Sequence, residues 1–143
     1  QGWQSEALTD VIGVTASIID IANAAPVQTD GQSLVSQIQA GPDAEGAQKG
    51  KDAVISEVMG QTMIFDGQYK LGIESVSEKP EELYDVETDP NELNNRVEDP
   101  ELQSVIQDLI ETHIGPLRDR FDHDLYEHWL KMRAQNQKAR RKE

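Results

Sequence analysis

His123 and Glu127 stand four residues apart, with Asp122, Asp124 and His128 beside them. On a helix that spacing stacks an imidazole and a carboxylate on one turn, the ligand types a divalent cation such as zinc accepts. Two ligands on one turn do not close a coordination shell, however. Phe121, Leu125 and Trp129 recur on the opposite side, so the stretch reads as a helix with one solvated polar face. Asp85, Glu87 and Asp89 alternate like the start of a calcium loop, but the glycine and closing glutamate of an EF-hand are missing. Tyr69 and Lys70 are the types that meet a ligand, yet their expected place is a strand at a sheet edge. Paired acids such as Glu81-Glu82 and Asp122/Asp124 are abundant in this chain and specify no general acid or base. His113, His123 and His128 have no nucleophile at a recognisable spacing. A glycine-rich phosphate loop, a nucleophile elbow and an HExxH helix are all missing from the sequence. No residue of this chain is therefore assigned as catalytic, cofactor-binding or metal-ligating.

Charge narrows the classes further. The 143 residues carry a formal net charge of −14, with no cysteine. The lack of thiols removes disulfides, thiolate zinc sites and cysteine nucleophiles together. Residues 131–143 hold six of the thirteen basic groups, with Glu143 as the only acid there. The rest holds seven basic against twenty-six acidic groups, a charge of −19 that argues against nucleic-acid binding. The basic tail is of a kind that can meet an anionic surface, but its expected role is to solubilise a frayed end. No apolar run is long enough for a membrane span. A first residue of Gln rather than Met is expected of a chain excised or processed from a longer one.

The elements that would position these groups follow from periodicity. Leu8 to Ala25 reads as an amphipathic helix, with Val11, Val14, Ile18 and Ile21 on a core-facing stripe widened by Ile12 and Ile19, and Pro26 at its end. Asp20 and Asp30 read as cap and turn residues. Residues 35 to 52 read as a mobile linker, broken by Gly41-Pro42 and Gly46, with a domain boundary near Lys51. Strands are expected over Ala53–Met59, Gln61–Phe65, Gln68–Ser75 and Leu83–Val86. Asp66-Gly67 is expected as a type I′ hairpin turn, and Ser75 to Glu81 as a polar loop. Thr88-Asp89-Pro90-Asn91 supplies turn chemistry. Asp99 then caps a helix with Pro100 at its first position and Leu102, Val105, Ile106, Leu109 and Ile110 on its apolar stripe. Gly115-Pro116 is expected to stop it. A second helix follows, with Leu117, Phe121, Leu125, Trp129 and Met132 on one face.

The order of these motifs resembles one family. Glu82-Leu83-Tyr84-Asp85-Val86, Asp89-Pro90-Asn91-Glu92 and the following Leu93-Asn94-Asn95 resemble the signature near the C-terminus of type I sulfatases, in the alkaline-phosphatase superfamily. Asp20-Ile21-Ala22-Asn23, Pro26 and Asp30-Gly31-Gln32-Ser33-Leu34 resemble an earlier run of that family, with Gln32 where arginine is common. Ile55-Ser56-Glu57 and Thr62 to Leu71 resemble its strand and hairpin. The resemblance implies an α+β fold: a small antiparallel sheet of about four strands covered by C-terminal helices, preceded by a helix and linker from the end of an alkaline-phosphatase-like α/β domain. It implies that residues 1–50 are the tail end of a large domain plus linker, and 51–143 a C-terminal subdomain. It also implies a parent enzyme that hydrolyses sulfate esters with a formylglycine and a calcium ion. That parent would have an N-terminal catalytic domain as partner, a sulfated small molecule or glycan as substrate, and a periplasmic, secreted or lysosomal setting. The formylglycine precursor Cys/Ser-x-Pro-x-Arg does not occur in this sequence, so neither cofactor is assigned to it. Two alternatives stand beside this reading: a free-standing binding or assembly module, and part of a phosphoesterase relative. Self-association of the chain is expected if the first helix has nothing to cover it.

Overall fold

The computed structural model describes residues 2–25, 27–41, 50–58, 60–120, 124, 126–128 and 130–132. The chain forms two compact units, Gln1–Val54 and Ile55–Glu143.

In the first unit, α1 spans Val11–Ile21 and α2 spans Val35–Ala40. The first helix is shorter than its periodicity predicts because Asp10 caps it, the Asp10 carboxylate accepting the Gly13 N–H at 2.7 Å. Its other carboxylate oxygen takes the Lys51 ammonium. Burial tends to raise the Asp10 pKa, but the Lys51 bond and the Gly13 N–H outweigh it and hold the group below the usual range.

The face that α1 buries is not the aliphatic stripe. Gly13, Ala16 and Ser17 are the buried positions, while Val11 is 82 % and Ile21 70 % exposed. The cause is a close backbone approach. A Cβ on Gly31 would lie 2.3 Å from the Ile12 carbonyl oxygen, and one on Gly13 would lie 3.0 Å from the Gln32 carbonyl oxygen. Segment 31–34 thus crosses the helix where only small residues fit. Ser17 Oγ donates to the Gly13 carbonyl at 2.7 Å and accepts the Leu34 N–H at 2.8 Å, closing the crossing. Asp20 is not a cap; it accepts the Ser33 hydroxyl at 2.7 Å. Part of the expected linker is helical (α2), while residues 42–49 lie outside the described set.

The second unit is α+β. Its strands are β1 Val54–Val58, β2 Gln61–Phe65, β3 Tyr69–Glu74 and β4 Pro80–Asp85, in the order β1-β2-β3-β4, antiparallel across β2-β3-β4. Register puts Ile64, Leu71 and Leu83 side by side, and Ile73 opposite Thr62 on the same face. Those four aliphatic side chains are buried to 1 % exposure or less. Each such burial stabilises the fold by about 1.5–3 kcal/mol. After Asp99, whose carboxylate accepts the Glu101 N–H at 2.9 Å, a 3₁₀ turn Pro100–Leu102 leads into α3, Gln103–Leu109. Leu102, Ile106, Leu109 and Ile110 are buried as the stripe predicts, Val105 of that stripe is only half-buried, and Ile114 is buried beyond it.

Three details differ from the sequence reading. Only Gly67 of the β2–β3 reversal has a positive φ (105°), so the turn is not type I′. Asp66 instead holds the Gln68 and Tyr69 N–H groups on one carboxylate oxygen at 2.9 and 2.7 Å. Strand β4 begins at Pro80 rather than Leu83, because a register shift opposite Gly72/Ile73 absorbs Glu81 and leaves proline at the strand start, where no N–H is needed. Finally, the helix does not stop at Gly115-Pro116. It widens into a π turn over Ile110–Ile114 and continues as a 3₁₀ segment over Gly115–Arg120. Gly115 keeps helical angles (φ −45°, ψ −48°), and lacking a Cβ it escapes much of the clash that a following proline imposes. Residues 124, 126–128 and 130–132 are helical, but Phe121, Leu125 and Trp129 lie outside the described residues.

Candidate functional site

Among the described residues of the second unit, polar side chains gather in three places. The first is the stretch after β4. Asp85 is buried, its carboxylate accepting the Thr88 N–H at 3.4 Å and its carbonyl the Asp89 N–H at 2.8 Å. Asp89 accepts the Asn94 N–H at 2.7 Å and its side-chain amide at 3.3 Å, and the Asn94 N–H foremost holds its carboxyl below the usual range. With Glu87 exposed, this trio shapes a loop instead of facing a common cation. Asn95 Oδ1 accepts the Leu83 N–H and its Nδ2 donates to the Glu81 carbonyl, both at 3.0 Å. Arg96 pairs with Asp99 at 2.6 Å, which lowers the Asp99 pKa and raises that of Arg96. Lys70, which the sequence singled out with Tyr69, sends its ammonium to both Glu92 oxygens at 2.8 Å.

The second place is the end of the sheet at the β3–β4 turn. One Glu74 oxygen accepts the Tyr126 hydroxyl at 2.5 Å, and the other accepts the Ser77 N–H at 2.7 Å and the Val76 N–H at 3.2 Å. The Tyr126 bond, then the Ser77 N–H, lower the Glu74 pKa to about 2. Arg118 reaches both oxygens of Glu78 at 2.7 Å and both of Glu111 at 3.0 and 3.1 Å. This doubly bidentate guanidinium holds both carboxyls below their usual range and is itself held firmly charged.

The third is the sheet face opposite the aliphatic row. Met63, Gly72 and Glu82 align there, with Lys70 opposite Tyr84. Without a side chain at Gly72 the surface dips into a depression of about 160 Å³ lined also by Val58 and Gln61. Mixed apolar, amide and carboxylate groups can bind here, but the site pairs no nucleophile with a base.

His123 and Asp122 lie outside the described residues. Glu127 pairs with Lys131 at 3.3 Å on an exposed surface, and Asp124 and His128 are exposed. Among the described residues no three His, Asp or Glu side chains are grouped to hold a metal ion. His113 is half-buried in the π turn. Sequence reasoning missed Glu74, Arg118 and Tyr126, because partners 40 and 52 residues apart leave no local pattern. Asn95 was visible within the signature stretch, but not its strand-closing role.

No family model matches the chain, and no curated protein matches it. Solved structures do. A protein of Bacteroides thetaiotaomicron VPI-5482 described as a sulfatase matches 73 % of this chain with a TM-score of 0.55 and 23 % identity. The chain carries the fold of a portion of the sulfatases. BT1596, a 2-O GAG sulfatase, matches over 73 % with a TM-score of 0.51 and 24 % identity. BT4656, solved with its substrate D-glucosamine-2-N,6-O-disulfate, matches over 71 % with a TM-score of 0.52 and 20 % identity. The matched region spans only 22–23 % of the length of these three proteins. The small sheet with its helices, expected from the motif order, is thus a sulfatase portion in fold.

Proposed function

We propose that this chain is the C-terminal portion of a sulfatase-like hydrolase of sulfate esters, in which residues beyond this sequence supply the nucleophile and the anion site. The carrying observation is the fold match to two sulfatase structures and to a protein solved with a sulfated glucosamine substrate, over most of this chain but under a quarter of theirs. The ordered motifs from Asp20 to Glu101 support the same reading. In it, residues 1–50 close a large catalytic domain and residues 51–143 form the C-terminal subdomain.

Neither formylglycine nor calcium fits the residues present. The chain has no Cys/Ser-x-Pro-x-Arg, and among the described residues no three His, Asp or Glu side chains converge on one point. No step is assigned through either group. The contribution of this chain is to shape and close a substrate cleft, with the Asp66-Gly67 turn and the Ser77 to Pro80 turn as the elements that reach it. Two of the similar structures act on sulfated sugars by name, which favours a sulfated glycan as substrate class. The bare aliphatic stripe of α1, with Ile18 63 % exposed, is suited to pack on the rest of such a domain.

The test compares the purified chain with the longest reading frame that contains it, on a chromogenic aryl sulfate and an aryl phosphate, with and without calcium. The chain alone turns over neither, since both reactions need a nucleophile and concentrated positive charge. The longer protein cleaves the sulfate. Preference for the phosphate would identify a phosphoesterase relative, and an authentic start near Gln1 would favour a free-standing module.

A further inference from the structure

The β3–β4 turn has an unusual backbone and two distant anchors. Glu78 adopts φ +55°, a left-handed conformation that crowds any side chain beyond glycine. Its carboxylate is gripped through two bonds of 2.7 Å by Arg118, forty residues further along the chain. At the front of the turn, Glu74 gathers the Val76 and Ser77 N–H groups, and its remaining oxygen takes the Tyr126 hydroxyl. The Tyr126 ring also seals the neighbouring turn. A Cβ at Gly60 would lie 2.6 Å from Tyr126 Cε2, and the Gly60 carbonyl accepts the Ser75 N–H at 3.0 Å.

We propose that Arg118 and Tyr126 form a two-point clamp that sets the conformation of the β3–β4 turn. Arg118 offsets the left-handed backbone of Glu78, and Tyr126 fixes the carboxylate from which the turn amides hang. Docking of the segment that carries these two side chains then decides whether the turn is rigid. The clamp does not depend on what the turn contacts, so it stands apart from the sulfatase reading.

Arg118 is a positioning residue under this proposal. Amide hydrogen exchange on the full chain reads the effect directly. Arg118→Gln speeds exchange at Ser77 by at least about tenfold, while the Ile64, Leu71 and Leu83 amides keep their wild-type rates. Glu78→Ala and Glu78→Gly both remove the gripped carboxylate, but only alanine keeps the cost of positive φ. Glu78→Ala therefore loses the protection at Ser77 and Glu78→Gly keeps it. Unchanged Ser77 exchange in Arg118→Gln overturns the clamp, as does equal protection in the two Glu78 variants. Acceleration of the Leu71 amide in step with Ser77 overturns it too, since the effect would then be global.

Discussion

Asn95 stands in for a fifth strand against Leu83. Its side-chain oxygen takes the Leu83 N–H at 3.0 Å, and the next residue, Arg96, donates its backbone N–H to the Leu83 carbonyl at 2.8 Å. The Asn95 amide also bonds the Glu81 carbonyl at 3.0 Å, so one side chain reproduces the donor and acceptor pattern of a neighbouring strand. The outer edge of β4 is thereby closed, where an open row of backbone groups would template pairing with other chains.

Asn95→Ala leaves the N–H of the fully buried Leu83 without its partner and costs about 1–3 kcal/mol. Asn95→Asp keeps the acceptor and loses only the bond to Glu81, so it costs less. Urea unfolding ranks the three proteins. An alanine variant as stable as wild type would contradict the edge-closing role.

Leu109 is 3 % exposed at the centre of the helical stripe. Leu109→Ala should cost about 2–5 kcal/mol, the usual range for emptying a packed aliphatic site. Exposed Leu93, at 78 %, supplies the control, with Leu93→Ala within about 0.5 kcal/mol of wild type. Thermal or urea denaturation of both checks the pair.

Glu74 links the sheet-end cluster to pH. Its carboxyl titrates at about 2 in the fold against an ordinary 4.5, so the folded state binds fewer protons in that interval. A depressed carboxyl stabilises fully above about pH 4.5, and that contribution is lost as pH falls towards 2. Tyr126→Phe removes the largest cause. The stability gap between wild type and this variant should hold steady above pH 4.5 and narrow towards pH 2. A gap that widens in acid would reverse the assignment.

Val11, Ile18 and Ile21 display an aliphatic stripe at 82, 63 and 70 % exposure. The purified chain should bind a hydrophobic dye and self-associate in sedimentation, and Ile18→Glu should weaken both. A strict monomer with no dye binding would count against a free apolar face.

How much of this could be read in the chain depended on what each residue answers to. The strands that carry Ile64, Leu71 and Leu83 were legible from the turn signals that bound them, though not which of their side chains face inward, and the stripe from Leu102 to Ile110 was legible because burial follows helical spacing. Helix α1 misled because its aliphatic residues outnumber the small ones that it buries. Gly13, Ala16 and Ser17 are chosen by the backbone of residues 31–34, a partner that periodicity does not see. Strand β4 was begun too late because Pro80-Glu81-Glu82 is polar, and pairing with β3 extends it despite composition. The sheet-end cluster was invisible for a simpler reason. Arg118 and Tyr126 are exposed or half-exposed polar residues whose meaning lies only in Glu78 and Glu74, far away in sequence.

The π turn at Ile110–Ile114 carries a consequence for length variation among relatives. Such a turn is an α-helix holding one surplus residue. Deleting one of Glu111, Thr112 or His113 would let it relax to ordinary α geometry, with Ile110 before it and Ile114 after it still turned inward. The same deletion placed between Leu102 and Ile106 would rotate the stripe out of the core. A relative one residue shorter in this helix should therefore have lost that residue between Ile110 and Ile114.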